Sequence, residues 1–163
     1  MHNPPPAGWP QMAACLFYRQ PAAAIDWLCE AFGFEVRLKV EGQPGEIVHS
    51  ELMYGQAMIM VSAGAKPGAA LEPGLEFKRA HASPLDLGGR VNQSLCLFVD
   101  DVDAHCAQAR ARGATIYAEP AVHDYGDDYW SDRCYGATDC EGHPWWFMQR
   151  LREQPEKVDT RPT

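Results

Sequence analysis

The tripeptide Cys15-Leu16-Phe17 returns about 80 positions later as Cys96-Leu97-Phe98, and each copy opens the same order of elements. Such a repeat constrains the fold more than any local motif, because two copies of one supersecondary unit must bury their apolar faces in related ways. In each copy a short apolar strand leads through a turn into an alanine-rich helical run, Pro21 to Phe32 in the first and Val102 to Arg112 in the second. Proline suits the first turn of a helix, and Asp100 or Asp101 can cap the second helix by accepting from its free amide groups. Gly33 and Gly113 close the two runs, as left-handed residues do at helix ends. Three strand-like segments follow each helix. They are Phe34 to Val40, Ile47 to Tyr54 and Ala57 to Ser62, then Thr115 to Glu119, Asp132 to Thr138 and His143 to Gln149, separated by turns rich in glycine. The pattern predicts an α+β chain of two tandem βαβββ modules.

The order of segments divides the chain into a flexible N-terminus (1–11), a first module (12–62), a connecting strap (63–90), a second module (91–151) and a flexible C-terminal tail (152–163). Both ends are polar or proline-rich and bury too little surface to order themselves. The strap carries eight Gly and Pro residues, which fits either a plain connector or a lid, with Phe77 and His81 as its contacting residues if it closes.

Charge narrows the partners. With 14 Lys and Arg against 22 Asp and Glu, the net charge of −8 leaves no basic stripe for nucleic acid or an anionic membrane surface. A cationic small molecule is electrostatically welcome. No wholly apolar stretch, Ala57 to Val61 and Met12 to Tyr18 included, approaches the roughly 20 residues that span a bilayer. The opening Met1-His2-Asn3 and its three prolines lack a basic end and an apolar core, which predicts no signal peptide and a cytoplasmic chain whose six cysteines are thiols.

Two βαβββ units joined by a strap, with Phe98-Val99-Asp100-Asp101-Val102-Asp103 before the second helix and Asp139-Cys140-Glu141-Gly142-His143 before the last strand, resemble the vicinal oxygen chelate superfamily. That group includes glyoxalase I, extradiol dioxygenases and the bleomycin-resistance binding proteins. The resemblance covers about Met12 to Leu151 and is strongest in the second half, from Tyr125-Gly126-Asp127 through Arg133 and Tyr135 to Gly142. It implies a curved mixed sheet around a cleft, and commonly a homodimer. Metal-using members resemble one another in placing four ligands on the concave face, on the first and last strands of each unit. The corresponding positions here are Ala13, Met60, Ser94 and Trp146, none of which offers imidazole or carboxylate to a divalent metal. The resemblance therefore implies a fold whose usual metal ligands are missing, and no metal or other cofactor is expected.

Alternate residues of a strand share a face, so the concave side carries Cys15 and Phe17, Met58 and Met60, Ser94, Cys96 and Phe98, and Trp146 with Met148. Sulfur, aromatic rings and small residues suit an apolar or planar ligand held by area, stacking and cation–π contact. They equally suit an ordinary filled core. Cys15 and Cys96 occupy equivalent places and read as small buried hydrophobes, with a redox pair or soft-metal site as the alternative. Cys134, Cys140 and His143 lack the two-to-four spacing of a zinc site. His49 and Glu51 share one strand face and are the candidate catalytic pair, as base and orienting partner or as two relocated metal ligands; a solvated polar face explains them as well. The segment His123 to Trp130 places three carboxylates and three aromatic rings where Trp130 could help catch a cation at a cavity mouth.

Three functions remain. The first is a non-catalytic protein that binds an aromatic or cationic small molecule. The second is a metal-dependent glyoxalase-like lyase or dioxygenase with ligands moved to His49 and Glu51, helped by His143 or His123. The third is a structural dimer with a filled core. The missing ligand set favours the first.

Overall fold

A computed structural model describes residues 4–65 and 68–154; residues 1–3, 66–67 and 155–163, which belong to the expected N-terminal arm, strap and tail, lie outside the described residues. The first module comprises strand β1 (Ala14–Phe17), helix α1 (Pro21–Phe32) and strands β2 (Glu35–Glu41), β3 (Ile47–Tyr54) and β4 (Ala57–Ser62). Two short 3-10 turns, Glu76–Ala80 and Pro84–Asp86, punctuate the strap. The second module repeats the order with β5 (Leu95–Phe98), α2 (Val102–Ala111), β6 (Thr115–Asp124), β7 (Ser131–Thr138) and β8 (Pro144–Arg152). Each module forms its own four-stranded sheet, ordered β1-β4-β3-β2 and β5-β8-β7-β6. The first strand of each runs parallel to the last, and the remaining pairs are antiparallel. One continuous sheet is therefore not formed within the chain; the repeat appears as two copies of one sheet.

Helix ends follow the sequence closely. Gly33 takes φ 75° and its N–H returns to the last turn of α1, while the Asp101 side chain accepts from the Ala104 N–H at 3.0 Å to start α2. Two strands run beyond their expected ends. Strand β6 passes through Pro120, which sits at a register shift between Ala118 and Ala121 where no ladder donor is required. Strand β8 continues past Gln149 because Arg150 and Arg152 are tied by ion pairs to Asp132 and Asp124.

The helix-facing sides of the two sheets meet in one core. Leu16, Tyr18, Ile59 and Val61 enter it from the first sheet, and Leu97, Tyr135, Trp145 and Phe147 from the second. Phe32 of α1 reaches across, with its ring 4.7 Å from Phe147 and 5.5 Å from Trp145. Burying each such side chain contributes about 1.5–3 kcal/mol, more than a typical single hydrogen bond. Since both helix-facing sides are consumed in this core, the other faces of the two sheets point away from it.

The Asp139–His143 turn ties the modules together. Asp139 Oδ1 accepts from the backbone N–H groups of Glu141, Gly142 and His143, all at 3.0 Å, while Oδ2 accepts from Tyr18 Oη at 2.6 Å and Trp145 Nε1 at 3.2 Å. Glu141 then accepts from the N–H groups of Arg19 (2.7 Å) and Gln20 (2.9 Å), serving the start of α1, which has no side-chain cap of its own. Among the described residues no helix is long and apolar enough to cross a membrane.

Candidate functional site

The outward faces carry the residues that strand alternation selects, in matching register. In the first module Cys15 lies beside Met60 and Phe17 beside Ser62; in the second, Cys96 lies beside Trp146 and Phe98 beside Met148. Within one chain these are two faces on opposite sides of the shared core, not one cavity. Ser94 stands exposed just before β5. Cys15 and Cys96 are also exposed, because their strands are edge strands whose outer faces no helix covers, so the expected burial of these thiols is not found. All six cysteines are free.

The strap folds over the first face. The His81 ring stacks on Phe17 at 4.1 Å with 22° between planes, and Phe77 packs edge-on against His81. Phe17 is buried beneath this stack, and Met58 on the same sheet is buried as well. Three polar contacts hold the strap in place: Ser83 Oγ donates to Glu141, Arg19 Nε donates to Asp86 at 2.7 Å, and Arg19 Nη2 donates to the Leu85 carbonyl at 2.8 Å; within the strap the Ala65 N–H donates to the Lys78 carbonyl at 3.0 Å. The start of the strap approaches its own later segment so closely that a Cβ on Gly64 would lie 2.2 Å from the His81 carbonyl oxygen, which requires glycine there. A cavity of about 360 Å³ remains between strap and sheet, reaching Cys15, Phe17, His49, Met60, Leu75 and Phe77.

His49 and Glu51 meet as the sequence suggests, with His49 Nε2 3.0 Å from Glu51 Oε1. A third member comes from β2: Arg37 Nη1 donates to Glu51 Oε2. Glu51 is only 3% exposed, so it is not part of a solvated polar face. The His49 contact, with Arg37 behind it, holds its carboxyl below the usual carboxylate range. Both carboxylate oxygens are thus engaged by the protein itself. His143 is buried elsewhere, with Nε2 3.0 Å from the Phe17 carbonyl oxygen, and His123 lies opposite Asp132 on β6. Among the described residues no three His, Cys, Asp or Glu side chains gather as metal donors.

The second face is more aromatic and more open. Phe98 is 50% exposed, and Trp130, Trp146 and Met148 are half-buried. Tyr117 of β6 lies across Gly136, meets Trp146 edge-on at 5.6 Å, and donates its hydroxyl to the Trp145 carbonyl at 2.9 Å. The ring faces of Phe98 and Trp130 are already occupied by a cation of the chain itself, the Arg150 guanidinium, at 5.4 and 5.5 Å. Arg152 likewise takes Asp124 with two hydrogen bonds, at 2.7 and 3.2 Å, and holds that carboxyl below its ordinary range. One carboxylate and one ring expected to catch an external cation are therefore engaged internally.

Arg150 and Tyr117 belong to this face but escape the sequence reading. Arg150 simply continues the Trp146, Met148 alternation one step beyond the expected end of β8. Tyr117 lies on β6, the far edge strand of the second sheet, away from the first and last strands on which the family resemblance places its site. Arg37 is hidden by the irregular β2 register between Val36 and Leu38.

The family model described as Glyoxalase/Bleomycin resistance protein/Dioxygenase superfamily matches residues 11–147. The chain belongs to this superfamily. Among solved structures, the superfamily fold recurs in TioX from Micromonospora sp. ML1, 29% identical with a TM-score of 0.61, covering 86% of this chain and 98% of that one. It also recurs in TnmS3, an antibiotic binding protein from Streptomyces sp. CB03234 (18% identical, TM-score 0.52, covering 85% of this chain and 93% of that one). The lactoylglutathione lyase of Agrobacterium tumefaciens shares it too (19% identical, TM-score 0.55, covering 90% and 96%). An uncharacterized protein of Mycobacterium bovis is 28% identical over 144 residues, covering 88% of this chain and 86% of its own length. A superfamily scaffold shared by an antibiotic binder and a lyase leaves the activity to the residues of the site.

Proposed function

We propose that this superfamily member is a non-catalytic small-molecule-binding protein, working without metal or other cofactor in the cytoplasm, that holds an aromatic ligand on its open sheet faces. The observation that carries this reading is chemical. By the family resemblance, Ala13, Met60, Ser94 and Trp146 correspond to the positions where metal-using relatives place ligands, and their strands carry sulfur and aromatic side chains suited to stacking. The antibiotic binding described for TnmS3 supports it by analogy. Because the two faces point away from one core, a cleft requires a second surface, and a second copy of the chain in a homodimer supplies it. The exposed Phe98, Val122 and Leu151 on and beside the second sheet suit such a neighbour.

A thermal-shift screen of planar aromatic antibiotics and metabolites tests the reading. A ligand at about 100 times its Kd adds about 2.7 kcal/mol of stability, which is easily seen as a rise in melting temperature. That gain should shrink in Trp146→Ala and Phe98→Ala. Absence of any response across the panel would count against a binding protein. The His49–Glu51 contact favours a second reading, a metal-dependent glyoxalase- or dioxygenase-like enzyme with relocated ligands, but Glu51 would first have to leave Arg37.

A further inference from the structure

The face of the second module carries a fixed cation beside its rings. Arg150 follows Trp146 and Met148 along β8, and its guanidinium lies within cation–π distance of both Phe98 and Trp130. Asp132, 3% exposed, anchors its Nε at 2.6 Å, and Glu153 accepts from Nη1 at 2.9 Å. The remaining nitrogen, Nη2, makes no hydrogen bond among the described residues. A planar fork held on two sides and open on the third is preorganised to receive an acceptor.

We propose that this face selects planar aromatic ligands that carry a carboxylate or similar anionic acceptor, which Arg150 receives while the ring stacks against Trp146 or against the faces of Phe98 and Trp130 that the guanidinium does not cover. The inference rests on the binding-protein reading and adds the charge class of the ligand. A cationic ligand would compete with Arg150 for the same ring faces and meet a like charge a few ångströms away. The net charge of −8 works in the opposite direction, drawing cations to the whole molecule. Selection for an anion must therefore arise locally, and Arg150 is the group placed to provide it.

Isothermal titration calorimetry of the full-length protein with two probes of one ring system and opposite charge, 2-naphthoate and 2-naphthylmethylammonium, tests the assignment. Wild-type protein should bind 2-naphthoate at least about tenfold more tightly, a difference of about 1.4 kcal/mol. Arg150→Gln should reduce the ratio below about threefold, and Arg150→Lys, which keeps the charge but not the fork, should fall between. The wild-type comparison stands by itself if a variant fails to fold. Equal binding, or tighter binding of the ammonium probe, overturns the charge assignment while leaving the binding-protein reading in place. A naphthoate preference unchanged in a folded Arg150→Gln overturns the role of Arg150. Failure of both probes to bind overturns the inference and removes support from the binding-protein reading with it.

Discussion

Tyr18 Oη donates to Asp139 Oδ2 at 2.6 Å across 121 residues of sequence, joining the first strand of one module to the last turn of the other. Both residues are buried, and burial together with the neighbouring Asp139 charge raises the Tyr18 hydroxyl well above its ordinary range. Tyr18→Phe removes a hydrogen bond to a charged acceptor and should cost about 1.5–3 kcal/mol in urea denaturation. Asp139→Ala orphans three backbone donors as well and should cost more. Because the folded-state pKa is raised, the Tyr18 contribution is complete below the unfolded value near 10 and is lost as pH rises beyond it.

Gly136 is required by its neighbour. A Cβ there would lie 2.3 Å from Tyr117 Cε2 and 2.6 Å from Cζ, so Gly136→Ala must displace the ring from its place against Trp146. The expected loss is about 1–3 kcal/mol, as for overpacking. Tyr117→Ala in the same chain should recover part of it, which a double-mutant cycle measures.

His105 sits between the modules, with Nδ1 2.6 Å from Tyr135 Oη and Nε2 3.1 Å from the Phe32 carbonyl oxygen. Burial lowers its pKa. A histidine held neutral in the fold contributes stability above its unfolded pKa of about 6.5 and loses it as pH falls below that value, at up to about 1.4 kcal/mol per pH unit. Denaturation at pH 7.5 and 5.5 should show a larger loss for wild type than for His105→Gln. Equal losses would remove His105 as the cause.

Ser83 holds the strap to Glu141 over the first face. In Ser83→Ala the segment around Phe77 and His81 should be cleaved faster by a limiting amount of protease, while the melting temperature falls only by the few degrees that about 1 kcal/mol represents. Unchanged cleavage would mean that the Phe17–His81 stack and the Arg19 contacts fix the strap without Ser83.

The repeat made the architecture legible because one unit read twice corrects local ambiguity. The bounds of α1, β3 and β4 coincide with those read from the sequence, and the core side of each strand follows from alternation through Leu16, Val61 and Leu97. Pro120 hid the second half of β6, since proline inside a strand reads as its end until a bulge excuses it. The outward residues Cys15, Phe17, Met60, Cys96, Phe98, Trp146 and Met148 were legible as same-side residues of each strand. Their division between two faces was not, because alternation orders residues within a sheet and says nothing of how two sheets pack. Arg37 sits at an irregularity of the β2 register, and Arg150 lies beyond the expected end of β8, so neither was placed beside its carboxylate by alternation within the expected strands.

The proposed function dispenses with the metal that metal-using members of the superfamily hold, and metal analysis of chelator-free protein tests this most directly. Such protein should carry far less than one equivalent of bound metal and show no rise in melting temperature with Zn²⁺, Ni²⁺, Mn²⁺ or Fe²⁺. About one equivalent of metal, with a clear rise in melting temperature that His49→Ala or Glu51→Ala abolishes, would contradict it.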